Sequence, residues 1–411
     1  MSMSEINLRC LIWQAEKGLC LMKFTANRKI MLEHLKSMAR VVPKSSPVQE
    51  LRGFLVEANE DDGYLYLTAN NLEAAIQRKF KPEVEAGGEF VMEAKTLIDI
   101  LSLLAETDVV FEEIKPGIIE IKSGYCTYTM HVLSGRIYPR PEMPFPEDTV
   151  KTSGLRQLYS KTYLTVAANN ATPALSGIHI EINGDGLKAI SCNGQCVALA
   201  GRETKCDGRL SFTLPKATYS YLAGAISDDD ELEVGVSGPY VTFMKEGMMF
   251  SARHIPHEYV DVNKLFDSIK PTYTAKLEFD SFRDQVDTVC NIAAMGSETS
   301  YVKLYFINDR IEISTKNDLG GGQGTVEAVC IDGNEDYSFY YPANRLKDIF
   351  KTVEGTLVLQ LDKRGYLLVF DRYSKFMMTP VTEQAVKKQM EHFSVPKKAP
   401  KSKAEQNPKA A

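Results

Sequence analysis

Apolar and polar positions along the chain fall into two blocks, and each block recurs three times. In the first block, apolar residues three and four apart read as a helix, followed by two alternating stretches that read as strands. Its copies are 26-ANRKIMLEHLKSMARVV-42 with 51-LRGFLVEANEDDGYLYLTANN-71, 154-GLRQLYSKTYLTVAA-168 with 175-LSGIHIEINGDGLKAISCNG-194, and 281-SFRDQVDTVCNIAA-294 with 301-YVKLYFINDRIEISTKND-318. The turns between the strands carry Asn, Asp and Gly, as hairpins require. The second block is a strand, a short helix and further strands. Its copies begin 90-FVMEAKTLIDILSLL-104, 212-FTLPKATYSYLAGAI-226 and 339-FYYPANRLKDIFKTV-353, with Phe90, Phe212 and Phe339 spaced by 122 and 127 residues.

Self-similarity at this period makes the chain three tandem copies of one α+β domain of roughly 120 residues, each with two helices packed on antiparallel sheets. The proline-rich stretch 139–148 and the stretch around Lys270 and Pro271 mark the boundaries. The expected organisation is 1–21 as an N-terminal extension, domains at 22–146, 147–270 and 271–384, and a basic tail at 385–411. The extension has no counterpart in the repeats and is expected to be mostly disordered, the alternative being a functional arm bearing Trp13; the tail lacks an apolar period and is expected to be disordered, and residues 383–393 allow one more short helix.

Composition narrows the class. With 44% apolar and 25% charged residues in 411, the chain reads as folded and globular. It has no run of 18 apolar residues, and Arg9, Glu16 and Lys17 break the apolar positions of the opening segment, so we expect a cytoplasmic protein without a membrane span. The eight cysteines form no CxxC pair and no set at zinc-finger spacing, and read as reduced thiols.

Net charge is −6, and the last 26 residues alone carry +5, which leaves −11 on residues 1–385. Such a body repels phosphates on average and binds nucleic acid only if its basic residues gather on one surface.

No catalytic constellation is visible. The run 320-GGGQG-324 lacks the Lys-Ser/Thr of a phosphate loop and reads as a hairpin turn. His254 and His257 have no third metal ligand at a fitting spacing, 228-DDDE-231 reads as a solvated turn, and GxSxG is absent. The expectation is a protein with no catalytic residues, no metal and no cofactor.

The three copies, with 22-MKFTANRKIMLEHL-35 at the start, 189-AISCNGQCVALA-200 in the second copy and 376-FMMTPVT-382 at the end, resemble the beta subunit of bacterial replicative DNA polymerase. The resemblance covers residues 22–382. It departs from the family pattern where Asp-Gly-His-Arg becomes Asn193-Gly194-Gln195-Cys196, where the terminal Met-Pro becomes Thr379-Pro380, and where the last arginine becomes Thr382.

The resemblance implies a sliding clamp: a closed ring of six domains, made as a head-to-tail homodimer, that encircles double-stranded DNA without reading its sequence. It implies that the replicative polymerase, the clamp loader and repair proteins dock through short peptides between the second and third domains. By position, that docking pocket draws on Leu175, Cys192, Gly194, Cys196 and Val197, with Met377, Thr379, Pro380 and Val381 on the other side.

A ring of this kind needs polar helix faces turned to the DNA. In the first helix Met31, Leu35, Met38 and Val42 form the buried face, and Lys29, Lys36 and Arg40 share another with Glu33. By similar reasoning Lys95, Arg156, Lys161, Lys216, Lys347 and Lys351 are expected to meet DNA. The helix 281–294 stands apart, because Asp284 and Asp287 outweigh Arg283. It favours an alternative reading, a clamp-derived regulator that binds partners without encircling DNA.

Overall fold

A computed structural model describes residues 21–168, 172–204, 206–295, 300–307, 309–317, 319–333 and 335–387. They form two compact units, one of residues up to Asn193 with Leu199–Val260, the other of Gly194–Ala198 with the residues from Asp261. The first unit contains the first two sequence repeats, and the second contains the third. The extension before Leu21 and the tail beyond Lys387 lie outside the described residues; residues 383–387 are described and helical.

In the first unit the four main helices are α1 (Arg28–Met38), α2 (Ala94–Leu103), α3 (Leu155–Thr162) and α4 (Lys216–Ala225). Helix α1 starts where Asn27 accepts hydrogen bonds from the Lys29 and Ile30 amides, which satisfies two of the free donors of the first turn. It buries Met31, Leu35 and Met38 as the periodicity predicts. The helix then stops four residues short of its predicted end, and Val41, not Val42, turns into the core at 1% exposure. Helix α3 is also shorter than predicted and runs on as a 3-10 turn, Tyr163–Thr165. There the hydroxyls of Thr162 and Thr165 bond back to Leu158 and Thr162 carbonyls, a competition that disfavours further α-helix.

One nine-stranded sheet joins the two repeats of this unit. It runs in the order Leu133–Ser134, Gly88–Glu93, Gly53–Ala58, Leu65–Asn70, Ala74–Phe80, Met248–Arg253, Tyr240–Lys245, Glu231–Ser237 and Val150–Ser153. The seam between repeats is the antiparallel pair Ala74–Phe80 with Met248–Arg253, in the register Ile76 opposite Phe250 and Arg78 opposite Met248. Both helix layers pack on one face of this sheet and share a single core from Met22 to Ala252. On its other face the boundary segment 139–148 is strapped down. Asn70 donates to the Pro139 carbonyl, Thr242 donates to the Pro144 carbonyl, and Arg140 pairs with Glu57 and Glu89.

A second, five-stranded sheet runs in the order Glu83–Ala86, Lys23–Asn27, Asp108–Lys115, Ile118–Ser123 and Cys126–His131. Its last strand is an edge.

The second unit carries α5 (Val262–Asp267), α6 (Phe279–Ala294) and α7 (Ala343–Phe350). Its eight strands from Pro271 onward run in the order Ser374–Met378, Leu367–Phe370, Leu357–Asp362, Pro271–Leu277, Gly320–Asp332, Arg310–Asn317, Tyr301–Phe306 and Tyr337–Pro342. The glycine run 320–324 is not a turn but the first half of a 13-residue strand. A side chain at Gly322 would come within 2.6 Å of Ile292 Cδ1, and one at Gly324 within 2.5 Å of Gln285 Oε1, so these glycines let α6 lie close on the sheet. Cys196 and Ala198 are buried in this unit's core together with Phe282, Phe350 and Phe376.

Candidate nucleic-acid interface

Counting from the N-cap aligns the first helix of each repeat. Asn27, Gly154 and Glu278 are the caps of α1, α3 and α6. Four, eight and eleven positions on, α1 buries Met31, Leu35 and Met38, and α6 buries Phe282, Val286 and Val289. Two, six, nine and thirteen positions on lie the polar places. On α1 and the turn after it these are Lys29, Glu33, Lys36 and Arg40, all exposed. In α6 they are Asp280, Asp284, Asp287 and Asn291.

The basic side of the first unit is held from behind. Arg40 lies against α4, where a side chain at Gly224 would meet its Cδ at 2.9 Å. Arg78, 7% exposed, reaches across the seam and donates through Nη2 to the Ala225 carbonyl at 2.5 Å. Burial holds the pKa of Arg78 below its usual value, and burial followed by the Arg78 charge pushes His34 below its own. Sequence reasoning missed Arg78, because on a strand it reads as one more outward cation.

The other expected contacts divide. Lys95, Arg156 and Lys351 are exposed, and Arg156 also donates to the Ile226 carbonyl. Lys216 is half-buried with its ammonium 5.8 Å from the Tyr163 ring centre, and half-buried Lys347 donates to Asn291 Oδ1.

Lys161 is a correction. It is 1% exposed and cannot meet a phosphate. At about 100° per residue, positions five apart on a helix are roughly 140° apart, so Arg156 and Lys161 never shared a face. Lys161 instead falls on the side of Leu155, Leu158 and Thr162, all buried.

On α6, Arg283 is drawn to the acidic side: it pairs with Asp280 at 3.0 Å and approaches Asp284 at 3.6 Å. Asp287 has one carboxylate oxygen buried without a hydrogen-bond partner. This face repels phosphates where α1 attracts them.

The expected docking residues are also sorted by burial. Cys196 and Val197 are 1% exposed and Met377 is 3% exposed, so none of the three offers its side chain as surface, and Cys196 packs in the second unit's core. Leu175 and Cys192, in the first unit, are half-buried. In the second unit Gly194 is exposed at φ +86°, and Thr379, Pro380 and Val381 are half-buried. There the Thr379 amide donates to the Gln195 carbonyl at 2.9 Å and the Val381 amide to the Tyr340 carbonyl at 2.7 Å.

The same corner occurs in the first unit. The Arg253 amide donates to the Glu73 carbonyl at 3.0 Å and the Ile255 amide to the Thr213 carbonyl at 2.8 Å. Each corner takes in a hairpin tip, Asn71–Ala74 or Asn193–Cys196, and a strand that leaves its sheet.

Among the described residues no group of three or more His, Cys, Asp or Glu side chains is placed to hold a metal, and no helix is long and apolar enough to cross a membrane. His254 Nε2 lies 3.1 Å from the Gly238 carbonyl oxygen.

Comparison with known proteins points the same way. Residues 22–143 match the family model described as the DNA polymerase III beta subunit, N-terminal domain. The chain is 23% identical over 356 residues to the beta sliding clamp of Lactococcus lactis, covering 82% of this chain and 91% of that one. It is 26% identical over 347 residues to that of Synechococcus elongatus, covering 80% and 91%. Its fold superposes on the DNA polymerase III beta chain of Streptococcus pneumoniae with a TM-score of 0.80 at 15% identity, over 88% of this chain and all of the other. The Thermotoga maritima beta subunit gives 0.79 at 17% identity, over 88% and 99%. The chain is therefore similar to bacterial beta sliding clamps over most of its length, and its residues 22–143 match the N-terminal domain of that family.

Proposed function

We propose that this protein is a non-catalytic processivity factor, a clamp that closes around duplex DNA as a head-to-tail homodimer and tethers the replicative polymerase. The observation that carries this reading is a strand seam formed inside the chain whose two sides both recur in it as open edges. Strand Ala74–Phe80 of the first repeat pairs with strand Met248–Arg253 of the second. The third repeat's counterpart of the former is Gly320–Val326, paired on one side only, with Arg310–Asn317. The first repeat's counterpart of the latter is the sheet edge Cys126–His131. Two complementary open edges on one chain join copies head to tail, and three repeats per chain close with two copies.

Inside such a ring Lys29, Lys36, Arg40, Lys95, Arg156 and Lys351 are the candidates to neutralise phosphates, with Lys216 and Lys347 reaching from half-buried positions. A smooth cationic lining without base contacts fits DNA of any sequence. Partner peptides dock at the terminal segment 379–381 beside Gly194. Because Cys196 is buried, the surface there is shorter than in relatives with an arginine at that place, and the peptide preference differs.

The acidic face of α6 favours a second reading, a clamp-derived binding module that does not encircle DNA. Solution mass across a dilution series separates the two. A persistent mass near twice 45.9 kDa supports the ring, and a persistent monomer supports the module.

A further inference from the structure

Hairpin register places one exposed side chain of the third repeat against one cavity of the first. In the first repeat Leu65 pairs with Phe80, and in the third Ile311 pairs with Val326. Counting back along both strands, Gly320 takes the place of Ala74, and Leu319 that of Glu73. The tips themselves agree: Asn71 Oδ1 accepts the Glu73 and Ala74 amides, and Asn317 Oδ1 accepts the Leu319 and Gly320 amides. On the receiving side His131 takes the place of Arg253. The Val132 amide donates to the Gly117 carbonyl as the His254 amide donates to the Pro239 carbonyl. Leu133 pairs with Val91 where Ile255 bonds Thr213. Glu73 and Arg253 meet at the internal corner, so Leu319 and His131 meet wherever two copies repeat that corner.

The face is fixed as well. Ala74 and Ala252 point into the helix-covered core, so their neighbours Glu73 and Arg253 point to the opposite face. On that opposite face His131 lines a cavity of about 420 Å³ together with Gln49, Arg52, Val91 and Leu133. Its floor adjoins the small apolar cluster of Leu51, Leu55, Val91 and Tyr138. Arg52 turns its guanidinium to the Ser46 carbonyl. Leu319 is 72% exposed in the single chain.

The internal latch has no counterpart at this seam, because Arg78 corresponds to Gly324. We infer that Leu319 of one copy plugs the His131 cavity of a second copy, so that ring closure relies on an apolar anchor where the internal seam relies on a buried arginine. This inference rests on the homodimer reading above, and its test separates the two. Dimer dissociation constants of the full chain would be measured by light scattering and sedimentation for the natural protein, Leu319→Asp, and Leu72→Asp on the equivalent tip of the first repeat. Thermal melting would check that each variant is folded.

Leu319→Asp is expected to weaken dimerisation by about tenfold or more, and Leu72→Asp to leave it unchanged. In parallel, Gly324→Cys would be oxidised against the native Cys126. By the internal register these face each other at a non-hydrogen-bonded position, where Cα atoms are about 4.5 Å apart, within disulfide range. If the crosslink forms and Leu319→Asp dimerises as tightly as the natural chain, the plug is overturned while the ring stands. If no crosslink forms and the natural chain is monomeric, the ring reading fails and the plug fails with it.

Discussion

Helices α1 and α6 hold the same place in their repeats and bury the same three positions, yet turn opposite charge to solvent. The places held by Lys29, Lys36 and Arg40 in the first are held by Asp280, Asp287 and Asn291 in the second, with an acidic residue, Glu33 or Asp284, at the fourth place in both. The contrast separates what the fold demands from what a function selects. Burial is set by the sheet beneath each helix and is preserved through divergence. Surface charge carries no such constraint, so if the chain holds DNA as proposed, the two units would not share it equally. In the proposed ring, the duplex is drawn toward the first units and held off by the third repeats.

The buried positions shared by the two helices carry the largest expected effect. Leu35→Ala and Val286→Ala each remove a fully buried side chain from equivalent positions. Leu35→Ala is expected to cost about 2–5 kcal/mol, and Val286→Ala somewhat less, by denaturant unfolding of the full chain. A negligible cost at either position would show that the two helices do not pack alike.

The unshared part is tested by charge reversal. Lys29→Glu with Lys36→Glu is expected to lower affinity for duplex DNA at low salt by about tenfold or more and to reduce the salt slope by about 2. Asp280→Lys with Asp284→Lys should move both quantities the other way. Equal and opposite failure, with neither pair changing binding, would remove α1 and α6 from the interface. Lys161→Gln divides burial from charge within one residue. Its loss is expected to leave DNA affinity and salt slope unchanged while lowering stability by about 1–3 kcal/mol, because the partners of a buried polar group are left unsatisfied.

The smallest expected effect is one of pH. His34 and His179 both lie in the first unit, and burial depresses both below the usual 6.5. A depressed base takes up its proton in the unfolded chain first. Stability from these groups is therefore full above about pH 6.5 and is lost as pH falls toward their folded values. The described part of the second unit contains no histidine. Hydrogen exchange between pH 7.5 and 5 should show the first unit loosening before the second. His34→Gln should flatten that dependence, and an unchanged profile in the variant would count against it.

Much of this was legible in the chain itself. The three repeats, the buried spacing of Met31, Leu35 and Met38, and the odd acidity of α6 all follow from periodicity, because an amphipathic helix must show its core face in sequence. What periodicity cannot show is which residues two distant strands bring together. Arg78 reads as an outward strand cation until Ala225 is placed beside it. The glycines 320–324 read as a turn until α6 is seen to need the space above them. Lys161 was misread for a different reason, since an exposed lysine is the ordinary case and only the helix angle argued otherwise. Of the expected docking residues, Cys196 and Met377 are buried, which sequence position alone does not show.

The central claim is a closed ring made by the open edges Cys126–His131 and Gly320–Val326. The most direct measurement is oxidation of the Gly324→Cys variant in the presence of nicked circular duplex, followed by a high-salt wash. A closed ring stays on the circle through the wash and is released when the DNA is cut to a linear form. Crosslinked dimer that washes off circles and linear DNA alike would contradict it.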